Sequence, residues 1–176
     1  MNKSRGSASS NTSLSRKLRA NKSWLQANYI QEGHVAIMAE NMAANWHHHP
    51  TFHFIMVINQ HELALLPETL NSLQEQLYNA WGLTIVSNIS QPEVLSDLPE
   101  NIEWIEIGSS LNEEINKTVE ETGLDWLMQI LPGDKLFSHT LLSFAEHINQ
   151  HNQSLFVYSD EMTNERSGDL VFKPDF

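Results

Sequence analysis

The apolar positions of this chain fall into short groups separated by polar turns. From residue 18 to about 46 they recur in mixed steps of three and four, through Trp24, Leu25, Tyr29, Val35, Ile37, Met38 and Met42, which predicts helix. Gly33 is expected to divide that stretch into two helices. Trp46-His47-His48-His49-Pro50 closes it, because the residue before a proline is biased away from helix. Phe52-His53-Phe54-Ile55-Met56-Val57-Ile58 is a nearly unbroken apolar run, as expected of a strand covered on both faces in a parallel sheet. Helical spacing returns over 61–76 through Leu65, Leu66, Thr69, Leu70 and Leu73, with Pro67 placed in the first turn.

The same alternation continues. Leu83-Thr84-Ile85-Val86 predicts a second buried strand, and the alternating residues 102–107 a half-exposed third. Ser110 and Glu113 have capping-box spacing and open a helix carrying Leu111, Ile115 and Val119, which Gly123 ends. Residues 126–131 predict a fourth buried strand, and 136–151 a helix with Leu141, Leu142, Ala145 and Ile148 inward. Leu155-Phe156-Val157-Tyr158 predicts a fifth strand, followed by a polar turn at Ser167-Gly168 and a short strand near Val171. The fold class that follows is α/β: an open, mostly parallel, Rossmann-like sheet flanked by helices, with an N-terminal helical extension. The predicted parts are a tail (1–17), the extension (18–50) and a nucleotide-binding domain (51–176). Ligands of such sheets sit beyond the carboxyl ends of the strands, which singles out Asn59-Gln60, Ser87-Asn88, Gly133-Asp134 and Ser159-Asp160-Glu161. Neither a Gly-x-Gly-x-x-Gly fingerprint nor a P-loop is present.

Composition narrows this picture. The 176 residues suit one compact domain, and the absence of cysteine excludes disulfide scaffolds, thiol nucleophiles and thiolate zinc sites, which fits a reducing, cytoplasmic setting. No apolar run approaches the roughly 20 residues of a membrane-spanning helix. The formal charge is −12, but it is unevenly placed: Lys3, Arg5, Arg16, Lys17, Arg19 and Lys22 make residues 1–22 a +6 segment without an acid. The other four bases face all 22 acids, leaving −18 on the rest of the chain. An acidic body argues against a nucleic-acid partner. The Ser/Asn-rich start is expected to be disordered and solvated, with peripheral contact to an anionic membrane as its further use.

Three stretches resemble the family-two glycosyltransferases, with the bacterial polysaccharide sugar transferases as the nearest type. Ile55-Met56-Val57-Ile58-Asn59, then Leu66-Pro67-Glu68-Thr69-Leu70-Asn71-Ser72-Leu73 and Gln76-Leu77-Tyr78-Asn79-Ala80-Trp81, are similar to the family's opening strand and helix. Residues 123–136 are similar to the strand that leads to its metal-binding loop. Tyr158-Ser159-Asp160-Glu161 with Phe172-Lys173-Pro174-Asp175 is similar to a paired motif of this subgroup. The resemblance spans about residues 52–176 and implies a GT-A fold binding a nucleotide-sugar donor, with a glycan or lipid-linked acceptor and a divalent cation, Mg or Mn. It implies hexosyl or deoxyhexosyl transfer, with Asn59, Ser87, Asn88 and Asp134 lining the donor cleft and Asp134 with Asp160 at the metal.

Departures from the family fall at the chemistry. The second strand ends in Val86-Ser87-Asn88-Ile89-Ser90 where the family has Val-Asp-Asp-Gly-Ser, so the base-contacting carboxylate is replaced by groups that only hydrogen-bond. Leu131-Pro132-Gly133-Asp134 keeps only the last acid of the Asp-x-Asp-Asp loop, and Ile58 replaces the usual Tyr before Asn59. A leaving diphosphate needs its developing charge offset, and one carboxylate is a thin tether for a hard cation. No residue here suits the general base, which the family carries in an acceptor half expected beyond Phe176, so this part alone is expected to be inactive. The alternative is a catalytically degenerate glycosyltransferase-like domain serving as a binding or assembly module. His47-His48-His49 with His53, and the His147/His151 pair, are read as surface or structural imidazoles rather than metal ligands.

Overall fold

The structure, a computed structural model, describes residues 23, 32–108, 110–123, 125–159, 161–164 and 170–172. The chain divides into two compact units, Met38–Ser154 and a second one made of Met1–Ile37 with Leu155–Phe176. The predicted tail, the first part of the helical extension and the Ser167-Gly168 turn lie outside the described residues. Among those residues no helix is long and apolar enough to cross a membrane.

Helix α1 runs Glu32–Asn45, so Gly33 lies in its first turn. Strand β1 (Phe52–Ile58) is the centre of the larger unit, with six of its seven residues buried. Its apolar run reads as expected: β1 pairs in parallel with β2 (Trp81–Ser87) on one side and with β4 (Trp126–Gln129) on the other. Beyond β2 lies β3 (Ile102–Glu106), giving the order β3-β2-β1-β4, every pair parallel. The expected open, parallel α/β sheet flanked by helices is therefore present. Phe52, Phe54, Met56, Ile58, Leu83, Ile85 and Val86 form its almost fully buried core.

The helices follow from local chemistry. Residues 60–65 form a 3-10 segment and α2 starts only at Leu66, with Pro67 in its first turn. A proline there has no N–H to give and crowds the carbonyl four residues back, so one continuous α-helix over 61–76 is excluded. Helix α2 ends at Gln74 and α3 spans Leu111–Thr122, closed by Gly123 in the left-handed region at φ 57°. The capping box expected at Ser110 is not made, since the Ser110 side chain forms no capping bond. Helix α4 (Thr140–Gln150) buries Leu141, Leu142, Ala145 and Ile148, as its spacing predicts.

Two strand expectations are corrected. Strand β4 is shorter than predicted and alternates half-buried with exposed residues, because it borders the sheet among the described residues and only one of its edges is paired. Residues 155–158 are not a strand: Leu155 is 96%, Phe156 80% and Tyr158 80% exposed. An apolar, β-branched run makes a ladder only where a neighbour supplies the other half. In the same unit β5 (Met162–Asn164) and β6 (Leu170–Phe172) pair antiparallel, which includes the short strand expected near Val171.

Polar groups strap the amino end of the larger sheet. Asp125 Oδ2 accepts from Thr51 N–H (2.9 Å), Thr51 Oγ1 (3.0 Å) and His48 Nε2 (3.1 Å), while Asp125 N–H donates back to Thr51 Oγ1 at 3.1 Å. The Thr51 backbone bond is the main reason that the Asp125 carboxyl is held below its ordinary range. Tyr78 donates its hydroxyl to the Pro50 carbonyl (2.9 Å), and burial, then the nearby Asp125 charge, pushes its pKa up to about 12.

His53 is the one polar side chain of β1. It is 7% exposed, its Nε2 lies 2.9 Å from Thr84 Oγ1, and its Nδ1 has no hydrogen-bond partner. Burial lowers its pKa, and burial does the same at His139. The unfolded chain therefore takes up the proton first. Stability from a neutral His53 is complete above the ordinary histidine pKa and is lost as pH falls below it. Between pH 7.5 and 5.5 the thermal midpoint should drop, as measured by thermal unfolding at the two pH values. In a His53→Leu variant the drop should be smaller, leaving mainly the part due to His139; an equal drop would show that His53 does not contribute.

Candidate functional site

The strand order fixes where a ligand would sit. The connection from β1 leads outward to β2 and β3, and the one after β3 returns to the far side of β1 as β4. The chain thus reverses its direction of winding between β1 and β4, and ligands of such sheets bind beyond the carboxyl ends of the strands at this kind of switch point. Asn59 follows β1, Ser87 and Asn88 stand at the end of β2, and the 131–134 turn follows β4. Four sequence-predicted residues thus share one end of the sheet. Asp160 lies outside the described residues.

Their side chains differ in how free they are. Asn59 donates both its backbone N–H (2.9 Å) and its side-chain amide (3.0 Å) to Glu62 Oε2, and Glu62 N–H donates to Asn59 O at 2.9 Å. These bonds open the 3-10 segment, and the Asn59 backbone N–H is the main cause that lowers the Glu62 carboxyl pKa. Ser87 is buried; its hydroxyl donates to Ile58 O (2.9 Å) and accepts from Ile89 N–H (3.3 Å), joining the ends of β1 and β2. Asn88 is exposed. The loop after it is tied to β3 by Ser90 Oγ on Glu106 Oε2 (2.7 Å) and by Trp104 Nε1 on Ile89 O (3.2 Å).

Like Glu106 at the end of β3, Asp134 is an exposed acid of this end. Its Oδ2 accepts from Leu131 N–H (2.9 Å) and its own N–H donates to Leu131 O (3.0 Å), so the carboxylate closes the turn that carries it. Helix α4 begins six residues later, so Asp134 does not cap it. Gly133, at φ 94°, makes the turn with a backbone conformation that other residues rarely adopt.

The turn is held from behind by a polar row that sequence reading missed. Gly133 N–H donates to Thr69 Oγ1 (2.8 Å) and Leu136 N–H to Ser72 Oγ (3.3 Å). Gln76 Nε2 donates to Phe137 O (2.8 Å) and Ser72 O (2.9 Å), while Gln76 Oε1 accepts from Leu141 N–H at 3.1 Å. Thr69, Ser72 and Gln76 are all buried and stand at i, i+3 and i+7, one stripe of α2 and its exit. That spacing was visible in the sequence, but Thr69 counted there only as one more inward residue.

Metal-binding capacity is limited among the described residues, where no group of three or more His, Asp or Glu side chains could hold an ion together. Asp134 offers a single carboxylate. Lys135 pairs with Glu68 at 3.1 Å on the surface, and Lys173 lies outside the described residues. Four of the histidines are engaged elsewhere: His48 with Asp125, His53 with Thr84, and the His147 and His151 rings stacked 4.3 Å apart.

No family model matches the sequence, and no curated protein matches it. Among solved structures, S. aureus TarS 1–349 in complex with UDP is similar at 17% identity over 58% of this chain and 33% of that one, with a TM-score of 0.49. The same fragment with UDP-GlcNAc gives 18% identity over 58% and 32%, TM-score 0.47. The longer S. aureus TarS chain gives 16% over 64% of this chain and 20% of that one, TM-score 0.49. The chain thus spans about a third or less of the length of these proteins.

Proposed function

We propose that residues 52–154 form the nucleotide-sugar-binding half of a GT-A glycosyltransferase that builds a bacterial glycan. The observation that supports this reading most is the position of Asp134: an exposed carboxylate on a turn braced from α2, at the end of the sheet where its winding reverses. Sugar transfer from a nucleoside diphosphate releases negative charge at this end of the sheet, yet Met38–Ser154 contains 16 acids and only two bases, Lys117 and Lys135. A divalent cation would offset that field, held by Asp134 together with oxygens of the donor diphosphate. Asn88, exposed at the end of β2, would face the nucleoside.

A second reading, a degenerate module that binds without transferring, draws support from Asn59 and Ser87. Their hydrogen-bonding groups are engaged within the protein by Glu62, Ile58 and Ile89. Titration of the full chain with UDP-, dTDP- and GDP-sugars, with and without Mn²⁺, tests the first reading. Metal-dependent binding that Asp134→Ala weakens about tenfold is expected, the scale of one lost charge-assisted contact. If none of the three donor classes binds, the donor-binding role is refuted.

A further inference from the structure

We infer that Thr69 is a positioning residue for Asp134, setting the direction in which that carboxylate faces a bound nucleotide-sugar donor; this rests on the function proposed above. The 131–134 turn has two anchors. One is internal, where Asp134 closes on Leu131. The other is external, where Gly133 N–H points into the protein at Thr69 Oγ1, 2.8 Å away. An internal anchor keeps the shape of a turn, but only an external one fixes its orientation. Gly133 makes the external anchor matter, since a glycine at φ 94° has little side-chain sterics to hold its peptide planes.

Thr69 is fully buried, with 0% exposure. Valine has the same shape and would fill that space without bringing a polar atom into the core, so the hydroxyl offsets its burial only through its hydrogen bond. Leu65, one turn earlier on the same side, completes the floor: its Cβ and methyl groups lie 3.6–3.9 Å from where a Gly133 side chain would begin. The three polar residues also divide the task. Ser72 and Gln76 hold Leu136, Phe137 and Leu141, on the way into α4, whereas Thr69 alone of the three bonds to the turn that bears Asp134. A carboxylate oriented before the donor arrives needs no reordering on binding.

The test compares Thr69→Val, Thr69→Ser and Asp134→Ala in the full chain, using the donor sugar that the unaltered protein binds in Mn²⁺. Thr69→Val should weaken binding about tenfold and speed amide exchange at Gly133 and Asp134, while Thr69→Ser restores both. Thr69→Val should add nothing to Asp134→Ala, because the two act as one unit. Unchanged binding in Thr69→Val, or a loss fully additive with Asp134→Ala, overturns the inference. If no donor binds the unaltered protein, the proposed function fails. Amide exchange still decides the rest, since unchanged exchange at Gly133 in Thr69→Val, or in Thr69→Ala should the valine variant not fold, shows that Thr69 does not hold the turn.

Discussion

Replacing Gln76 by alanine should destabilise the protein by about 2–4 kcal/mol, more than most polar substitutions, because it strands several buried groups at once. The Gln76 side chain joins two helix ends. Its Nε2 takes the Ser72 carbonyl, one of the carbonyls that the last turn of α2 leaves open, and its Oε1 takes the Leu141 N–H in the first turn of α4. It also binds Phe137 O between them. The loss should appear as a lower urea midpoint with an unchanged slope. Gln76→Glu keeps the shape but removes both donated bonds at neutral pH. It should be about as costly there and partly recover in acid, when the carboxyl regains a donor. A loss below about 1 kcal/mol for Gln76→Ala would mean that water or the backbone can replace all three bonds.

The second large effect is expected in the apolar core. Phe54 is 1% exposed at the middle of the central strand, registered against Leu83 on β2 and Met128 on β4. Phe54→Ala removes a full ring where neighbours on both sides are fixed by sheet hydrogen bonds and cannot collapse inward, so about 3–5 kcal/mol should be lost. That is a large share of the roughly 5–15 kcal/mol typical of a domain. Val94, 89% exposed on the connection between β2 and β3, is the control: Val94→Ala should change stability by less than about 0.5 kcal/mol. Similar losses at both sites would refute the placement of β1 at the centre.

The sequence made the central strands legible because their signal is strong. Phe52 to Ile58 is apolar at six of seven positions, and Leu83 to Val86 is bounded by turn residues on both sides. Leu141, Leu142, Ala145 and Ile148 marked the buried face of α4 by their spacing alone. Where the reading failed, the deciding fact was a partner that no local pattern contains. Residues 155–158 have the composition of a strand, but composition supplies no neighbour. Trp126 to Gln129 has the composition of a buried strand, but whether it lies inside a sheet or at its border depends on the order of strands. At the candidate site, position was legible and engagement was not. Asn59, Ser87, Asn88 and Asp134 stand at one end of the sheet as expected; the Asn59–Glu62 pairing has capping-box spacing, but nothing in the sequence tells that Ser87 is consumed by Ile58. The brace on the Asp134 turn escaped for the same reason, since Thr69 and Gly133 are 64 positions apart.

The central place of β1 also has a kinetic side. Its two neighbours come from very different distances along the chain: Phe52 meets Trp81 on one side and Trp126 on the other. Each time the protein folds, the most apolar strand must wait with one edge bare until a segment 74 residues later arrives, and pairings this distant form slowly. During that wait a chain of several bare copies can add to one another through the same edge. His53, near the start of that run, is the one residue that interrupts it. Charged during refolding in mild acid and neutral once buried, it would discourage premature association and then stop opposing the sheet. Refolding yield, at fixed protein concentration, should therefore be highest slightly below the pH at which the folded chain is most stable.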